Sequence, residues 1–115
     1  MISDVFCIII KGELKSEPIY EDGDFIVIKD INPQAPVHAL IIPKKHFDQI
    51  HAASHEDLDL LGKMMLTAGK AAKILGVDQT GYRLILNQGI DGGQLVPHLH
   101  LHLLGGKRLG PKMVK

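Results

Sequence analysis

Pro97-His98-Leu99-His100-Leu101-His102-Leu103-Leu104-Gly105-Gly106 is the stretch on which the fold turns. Side chains on a strand alternate faces with a period of two, so an extended run sets three imidazoles on one face and the leucines on the other. A helix turns about 100° per residue, which would carry His100 roughly 200° from His98 and dissolve the cluster. The run therefore predicts a strand with a histidine face.

Such a face has three chemistries open to it. Neutral imidazoles bind zinc, and three of them leave a fourth position for water. They can equally be satisfied polar groups on a partly exposed strand. The third is work on an anion, because an imidazole is a nucleophile near neutral pH and its neighbours can hold or pass a proton. The loop before the strand, Gln88-Gly89-Ile90-Asp91-Gly92-Gly93-Gln94, weighs toward the third. Gly92-Gly93 lets backbone N–H groups approach a ligand closely, and such amides form an anion nest. Asn87 adds a side-chain donor at the end of the preceding strand. Phosphate is the natural ligand of that conjunction.

Working outward, Tyr82 to Asn87 reads as a strand, and His38-Ala39-Leu40-Ile41-Ile42-Pro43 as a buried strand ending at its proline. Ile19-Tyr20, Glu21-Asp22-Gly23-Asp24 and Phe25-Ile26-Val27-Ile28-Lys29 read as strand, turn and strand, with Gly23 expected at positive φ. Asp30 to Pro36 contains two prolines and is a loop. Val5 to Leu14 reads as a short apolar helix broken near Gly12, although Ile8-Ile9-Ile10 also suits a strand. Lys44 to Ala53 is a connection. Ser54 is an N-cap for a helix running to about Leu75, with Leu58, Leu61, Met65, Ala68, Ala72 and Leu75 as its inner face and Gly76 as its stop. Five strands and two helices with short hairpins predict an α+β domain, a mainly antiparallel sheet with the helices on one side.

Composition narrows the function classes. At 115 residues and 45% hydrophobic, the chain is expected to be one domain over 1–115. Thirteen basic and thirteen acidic residues cancel, so no global field draws it to nucleic acid, membrane or polyanions. The absence of Trp argues against a base-stacking nucleic-acid platform. A single cysteine, Cys7, excludes an internal disulfide and suits a reducing compartment. The N-terminal apolar run lacks a basic start and is too short to span a bilayer, so the protein is expected to be cytoplasmic.

His98-Leu99-His100-Leu101-His102-Leu103-Leu104 resembles the His-φ-His-φ-His-φ-φ signature of the histidine triad (HIT) superfamily, φ being hydrophobic. Gly105-Gly106, Asp91-Gly92-Gly93-Gln94, Asp30 to His38, and Ile42-Pro43-Lys44-Lys45-His46 look like its Hint branch. The likeness covers nearly the whole chain. It implies a homodimer whose two five-stranded sheets join into one ten-stranded sheet. It also implies purine nucleotide binding and hydrolysis of the P–N bond of nucleoside phosphoramidates, such as adenosine 5'-phosphoramidate, or of aminoacyl-adenylates. No cofactor is implied.

By that similarity His100 is the nucleophile, attacking the α-phosphorus to form a nucleotidyl-histidine that water hydrolyses. The main-chain carbonyl of His98 is expected to accept the other ring N–H of His100, and the rings of His98, His102 and His38 to contact phosphate and handle protons. Asp30 matches the acid that holds the ribose hydroxyls, and Ile31 beside it lines the nucleoside pocket. Asn87, Gly93, Gln94, Leu95, Leu101 and His102 complete the expected phosphate side, Gly93 and Leu95 through backbone amides. Val5, Phe6, Ile9 and Leu40 match positions that sandwich the base, though each could simply be core.

Departures from the pattern bear on turnover. Leu95 stands where the branch usually has a phosphate-touching serine. Pro97 occupies a position that is often aromatic. The tail, Lys107 to Lys115, lacks the tryptophan of eukaryotic members, so a nucleotide-binding or scaffolding dimer with incidental hydrolysis is the alternative. Some prokaryotic relatives bind structural zinc through Cys-x-x-Cys and two histidines. Here Asp4 replaces one thiolate beside Cys7, His46 and His98, and no metal is expected.

Overall fold

The computed structural model describes residues 5–10 and 17–111. Its elements are α1 (Val5–Ile10), β1 (Tyr20–Glu21), β2 (Phe25–Lys29), β3 (Val37–Pro43), α2 (Leu58–Ile74), β4 (Tyr82–Ile85) and β5 (Leu101–Gly105). The strands form one antiparallel sheet in the order β1-β2-β3-β5-β4. This is the expected α+β arrangement with one main helix, α2. The stretch from Lys11 to Leu14, expected to continue α1, lies outside the described residues.

Period-two alternation assigns the two faces of the sheet. Phe25, Val27, Ala39, Ile41, Leu99, Leu101 and Leu103 are buried on one side with Met64, Ala68, Ala71 and Ala72 of α2. Ile26, Ile28, Leu40 and Ile42 point to the other side, where they pack with Phe6 of α1. The two helices therefore sit on opposite faces, not on one. An all-buried β2 reading Phe25-Ile26-Val27-Ile28 has an apolar group for each face, and each face needs a cover.

Register places the histidines. Leu40 pairs with His102 and His38 with Leu104 across β3 and β5, so His38 and His102 are diagonal neighbours on the α1 face. The ladder of β5 starts only at Leu101, later than the strand expected from the histidine run. Pro43 cannot donate to a ladder, and the Leu99 N–H instead bonds the Phe47 carbonyl. The chain stays extended enough to keep the alternation, with Leu99 beneath α2 and His98 and His100 facing away.

The hairpin between β1 and β2 forms as expected, by another device. Gly23 does not take positive φ. The Asp22 carboxylate accepts the N–H groups of Asp24 and Phe25, each at 2.8 Å, and the Tyr20 hydroxyl at 2.8 Å. A side chain thus supplies the turn's hydrogen bonds.

α2 starts a turn later than predicted, after a 3-10 turn over His55–Asp57 that Ser54 caps in its place, and it is rolled about its axis. Ser54 and Asp57 make a reciprocal capping box ahead of it. At its end Gly76 takes φ +75°, with Gly76 N–H bonding Lys73 and Val77 N–H bonding Ala72, a Schellman closure. The buried residues are Met64, Thr67, Ala68, Ala71 and Ala72. Leu61 and Leu75 of the expected inner face pack only at the margin of the core, while Leu58 and Met65 are exposed. Large apolar residues occur around much of the helix, so spacing alone leaves the contact face open. The alanines settle it by letting the helix axis approach the sheet closely.

Leu103 is fully buried at the centre of the α2 face. Leu103→Ala is expected to lower unfolding free energy by about 2–5 kcal/mol, read as a lower guanidinium midpoint with an unchanged slope.

Candidate active site

On the α1 face, a cavity of about 400 Å³ is lined by His100 and His102 together with Phe6, Ile9, Ile28 and Leu40 on its apolar wall. Asp30, Ile31, Asn87, Gly93, Leu95 and Val96 also line it. Most of the residues singled out in the sequence meet here. Ile28, Lys29, Asn32 and Val96 are lining residues not anticipated, although the alternation on β2 already sets Ile28 on this face. A larger groove of about 740 Å³ runs along the exposed side of α2 past Lys63, Met65, Leu66 and Tyr82, away from the histidines.

Hydrogen bonds give each imidazole a defined tautomer. The Nδ1 of His100 lies 2.7 Å from the carbonyl oxygen of His98, which can only accept. Nδ1 therefore carries the proton, and Nε2 of His100 presents a lone pair. Phe6 packs edge-on against the His100 ring, 4.9 Å between centroids, fixing its plane. His98 is wholly buried and donates from Nε2 to the Pro43 carbonyl at 2.8 Å. Its Nδ1 faces the Cys7 sulfur at 3.6 Å.

The pair His38 and His102 is ordered from the loop before β3. The Gln34 main-chain N–H donates to Nδ1 of His38 at 3.0 Å, so the His38 proton sits on Nε2. From there it meets Nδ1 of His102 at 2.9 Å and a carboxylate oxygen of Asp30 at 3.3 Å. With its Nδ1 accepting, His102 is left with a proton on Nε2. Burial pushes its imidazole down to about 4, and the nearby rings of His100 and His38 add to that against the opposing pull of Asp30. His102 is neutral at neutral pH and serves as a hydrogen-bond donor. The other Asp30 oxygen accepts the Asn32 N–H at 2.8 Å.

The glycine loop is held from outside the cavity. The Gln94 side chain accepts the Gly89 N–H at 2.8 Å and donates to Asp48 at 3.1 Å and to the Val96 carbonyl at 3.0 Å. The Gln94 side chain thus braces the loop, and the Leu101 side chain packs under α2, so neither side chain lines the cavity. At Gly92 a Cβ would strike the Gln88 carbonyl oxygen, and Gly93 takes φ +80°, so both positions demand glycine. Val5 offers no described side chain to compare with its expected place at the base.

Two donor groups converge among the described residues, Cys7 with His46 and His98, and Asp30 with His38 and His102. The triad itself does not, which removes the reading of His98, His100 and His102 as one metal site. Cys7 Sγ lies 3.3 Å from His46 Nδ1 and 3.6 Å from His98 Nδ1. Donors of a tetrahedral zinc with bonds of about 2.3 Å to sulfur and about 2.0 Å to nitrogen stand roughly 3.6 Å apart. These three residues fit such an ion even though a thiolate is missing at Asp4, which lies outside the described residues. That fit runs against the expectation of no metal.

Comparison with known proteins follows this geometry. A family model described as the HIT domain matches residues 11–109. The chain belongs to the HIT domain family. HIT relatives include protein HitA of Neisseria gonorrhoeae, 46% identical over 101 residues that cover 88% of this chain and 94% of HitA. Among solved HIT structures, a HIT family hydrolase from Clostridium thermocellum superposes with a TM-score of 0.93 at 49% identity, covering 99% of each chain. A histidine triad nucleotide-binding protein from Candida albicans does so with a TM-score of 0.79 at 36% identity, covering 88% of this chain and 73% of that one. No described helix is long and apolar enough to cross a membrane.

The depressed His102 imidazole has a consequence for stability. In the unfolded chain it titrates near its ordinary 6.5, but in the folded protein only near 4. As pH falls through that window the unfolded state binds more protons, so stability present above 6.5 is lost toward 4. His102→Asn is expected to flatten the fall of the denaturation midpoint over this range. Identical pH slopes in the two proteins would refute the assignment.

Proposed function

We propose that this HIT protein is of the Hint branch and hydrolyses the P–N bond of nucleoside phosphoramidates, or aminoacyl-adenylates, through a nucleotidyl intermediate on His100. The observation that carries the reading is the His100 imidazole at the cavity floor. Its Nδ1 proton is committed to the His98 carbonyl, which makes Nε2 the unprotonated, nucleophilic nitrogen of a ring that lines the cavity. The hydrolase and nucleotide-binding descriptions of the structural relatives agree with it.

The mechanism follows from the tautomers. His100 Nε2 attacks the α-phosphorus, the P–N bond to the amine breaks, and the amine takes a proton from water at the mouth. The Nε2–H of His102 and the Asn87 amide meet the phosphoryl oxygens and stabilise the charge that builds there, while the Gly93 N–H stays with the Ile90 carbonyl at 3.0 Å and shapes the loop. A second water then attacks phosphorus, the P–Nε2 bond breaks to return the imidazole, and the water's oxygen stays on phosphorus in the nucleoside monophosphate. The proton it sheds neutralises the hydroxide left in the first step. One water is consumed overall, in two moderate displacements. The ribose hydroxyls meet Asp30, and the purine enters the slot of Phe6, Ile9, Ile28 and Leu40. An ion at Cys7, His46 and His98 would brace the His98 ring by structural coordination. It would take no part in the displacement, since it uses only Nδ1 of His98.

A second copy completes the fold in this reading. Among the described residues β4 bonds only β5, leaving its outer edge unpaired, and exposed Met65, Leu66 and Tyr82 share the groove beside it. Pairing of two β4 edges yields a ten-stranded sheet and covers that apolar surface. The alternative, a nucleotide-binding dimer with incidental hydrolysis, is favoured by Leu95, which lacks a hydroxyl for phosphate. Tight binding of adenosine monophosphate without turnover would select it.

His100→Gly is expected to lower kcat/KM on an adenosine phosphoramidate by roughly ten-thousandfold or more and to abolish the nucleotidylated protein seen by mass spectrometry after a rapid quench. Unchanged turnover would sink the assignment. For the dimer, Leu66→Glu is expected to convert the species seen in sedimentation to monomer at concentrations where the unaltered chain is dimeric.

A further inference from the structure

An in-line displacement by a buried nucleophile dictates where its leaving group goes. His100 is only 5% exposed and lines the cavity, so a leaving group in line with its attack departs away from this buried ring, toward the open side of the cavity. Two lining residues are almost entirely solvent-exposed, Ile31 at 102% and Leu95 at 93%, and they mark that mouth. Both are aliphatic, and they come from separate loops. One exposed leucine is ordinary on any surface. Two aliphatic side chains at the exit of one reaction channel are not a scattered pair.

Leu95 is also held in place. Gln94 before it is bonded to Gly89, Asp48 and the Val96 carbonyl, and Val96 after it packs inward with Phe6, Ile26 and Leu40. An outward residue between two anchored neighbours is presented on a fixed backbone. Its apolar surface is then ready to meet a group at the mouth with little ordering cost. The charges at the cavity point the same way. Lys29 lines it, and the one lining carboxylate among the described residues, Asp30, is bonded to Asn32 and His38 and is assigned to the ribose hydroxyls. A cationic leaving group would find no free partner there among the described residues.

We propose that Leu95, together with Ile31, selects leaving amines with a neutral apolar body, alkyl or aryl, over hydrophilic or cationic ones. The inference rests on the proposed P–N hydrolysis and assigns the side of the substrate that the nucleoside slot does not read. Leu95 touches the departing group in this arrangement, so it acts on kcat/KM through contacts made outside the nucleotide.

The test compares adenosine phosphoramidates of phenethylamine, ethanolamine and ethylenediamine, the first two having amines of similar basicity. The full-length protein is expected to prefer the phenethylamine compound over the ethanolamine one by roughly tenfold in kcat/KM, the low end of what an apolar contact contributes to discrimination. The ethylenediamine compound should be the poorest. Leu95→Ser should bring the first ratio close to one, and Ile31→Ser should lower it independently. Both sites are exposed, so neither change threatens the core. Comparable rates on all three compounds, or a ratio retained in both variants, would overturn the selection while leaving the hydrolase reading intact. No turnover of any of the three would overturn both.

Discussion

Everything at this site depends on one packing constraint, the burial of Leu99, Leu101 and Leu103 beneath α2. With those side chains committed, the alternation of an extended chain leaves His98, His100 and His102 no other direction than the opposite face. A slip of one residue would bury three imidazoles against alanines and expose the leucines, a cost no local rearrangement could offset. The close approach of α2 through Ala68, Ala71 and Ala72 thus orients chemistry on the far side of the sheet.

A second layer of order comes from groups with no freedom of protonation. The His98 and Pro43 carbonyls can only accept, and the Gln34 amide can only donate. Each sets the tautomer of one ring, and His102 inherits its own from His38. The result is a cluster of closely spaced imidazoles in which His100 offers a lone pair and His102 offers a proton. Proximity without these main-chain partners would leave several tautomers of similar energy. The glycine loop follows the same logic, since the Gln94 side chain holds its shape from behind and the Gly93 and Gln94 amides close it onto the Ile90 and Gly89 carbonyls.

Much of this was legible in the residue order, and the misses have physical causes. Strand spacing in the histidine run, Gly92-Gly93 and the caps at Ser54 and Gly76 are local signals and produced local structure. The face of α2 was misjudged because Leu58 and Met65 fit an amphipathic period as well as Met64 and Ala71 do. Neighbours in an extended chain point in opposite directions, so the side chains of Leu101 and His102 part to opposite faces of the sheet. Nothing in the sequence announces that the Gln34 amide reaches His38, whereas the meeting of Cys7 with His46 and His98 is foreshadowed only by the resemblance to zinc-binding relatives.

The sequence by itself determined the alternating histidine run, the glycine loop and the resemblance that joins them to Asp30, because those depend on residue type and on spacing within a few positions. The tertiary structure decided which helix covers which face, which nitrogen of each imidazole carries its proton, and that Leu95 and Ile31 share one mouth. Those are contacts between segments far apart in the chain, and their geometry exists only once the sheet has brought them together.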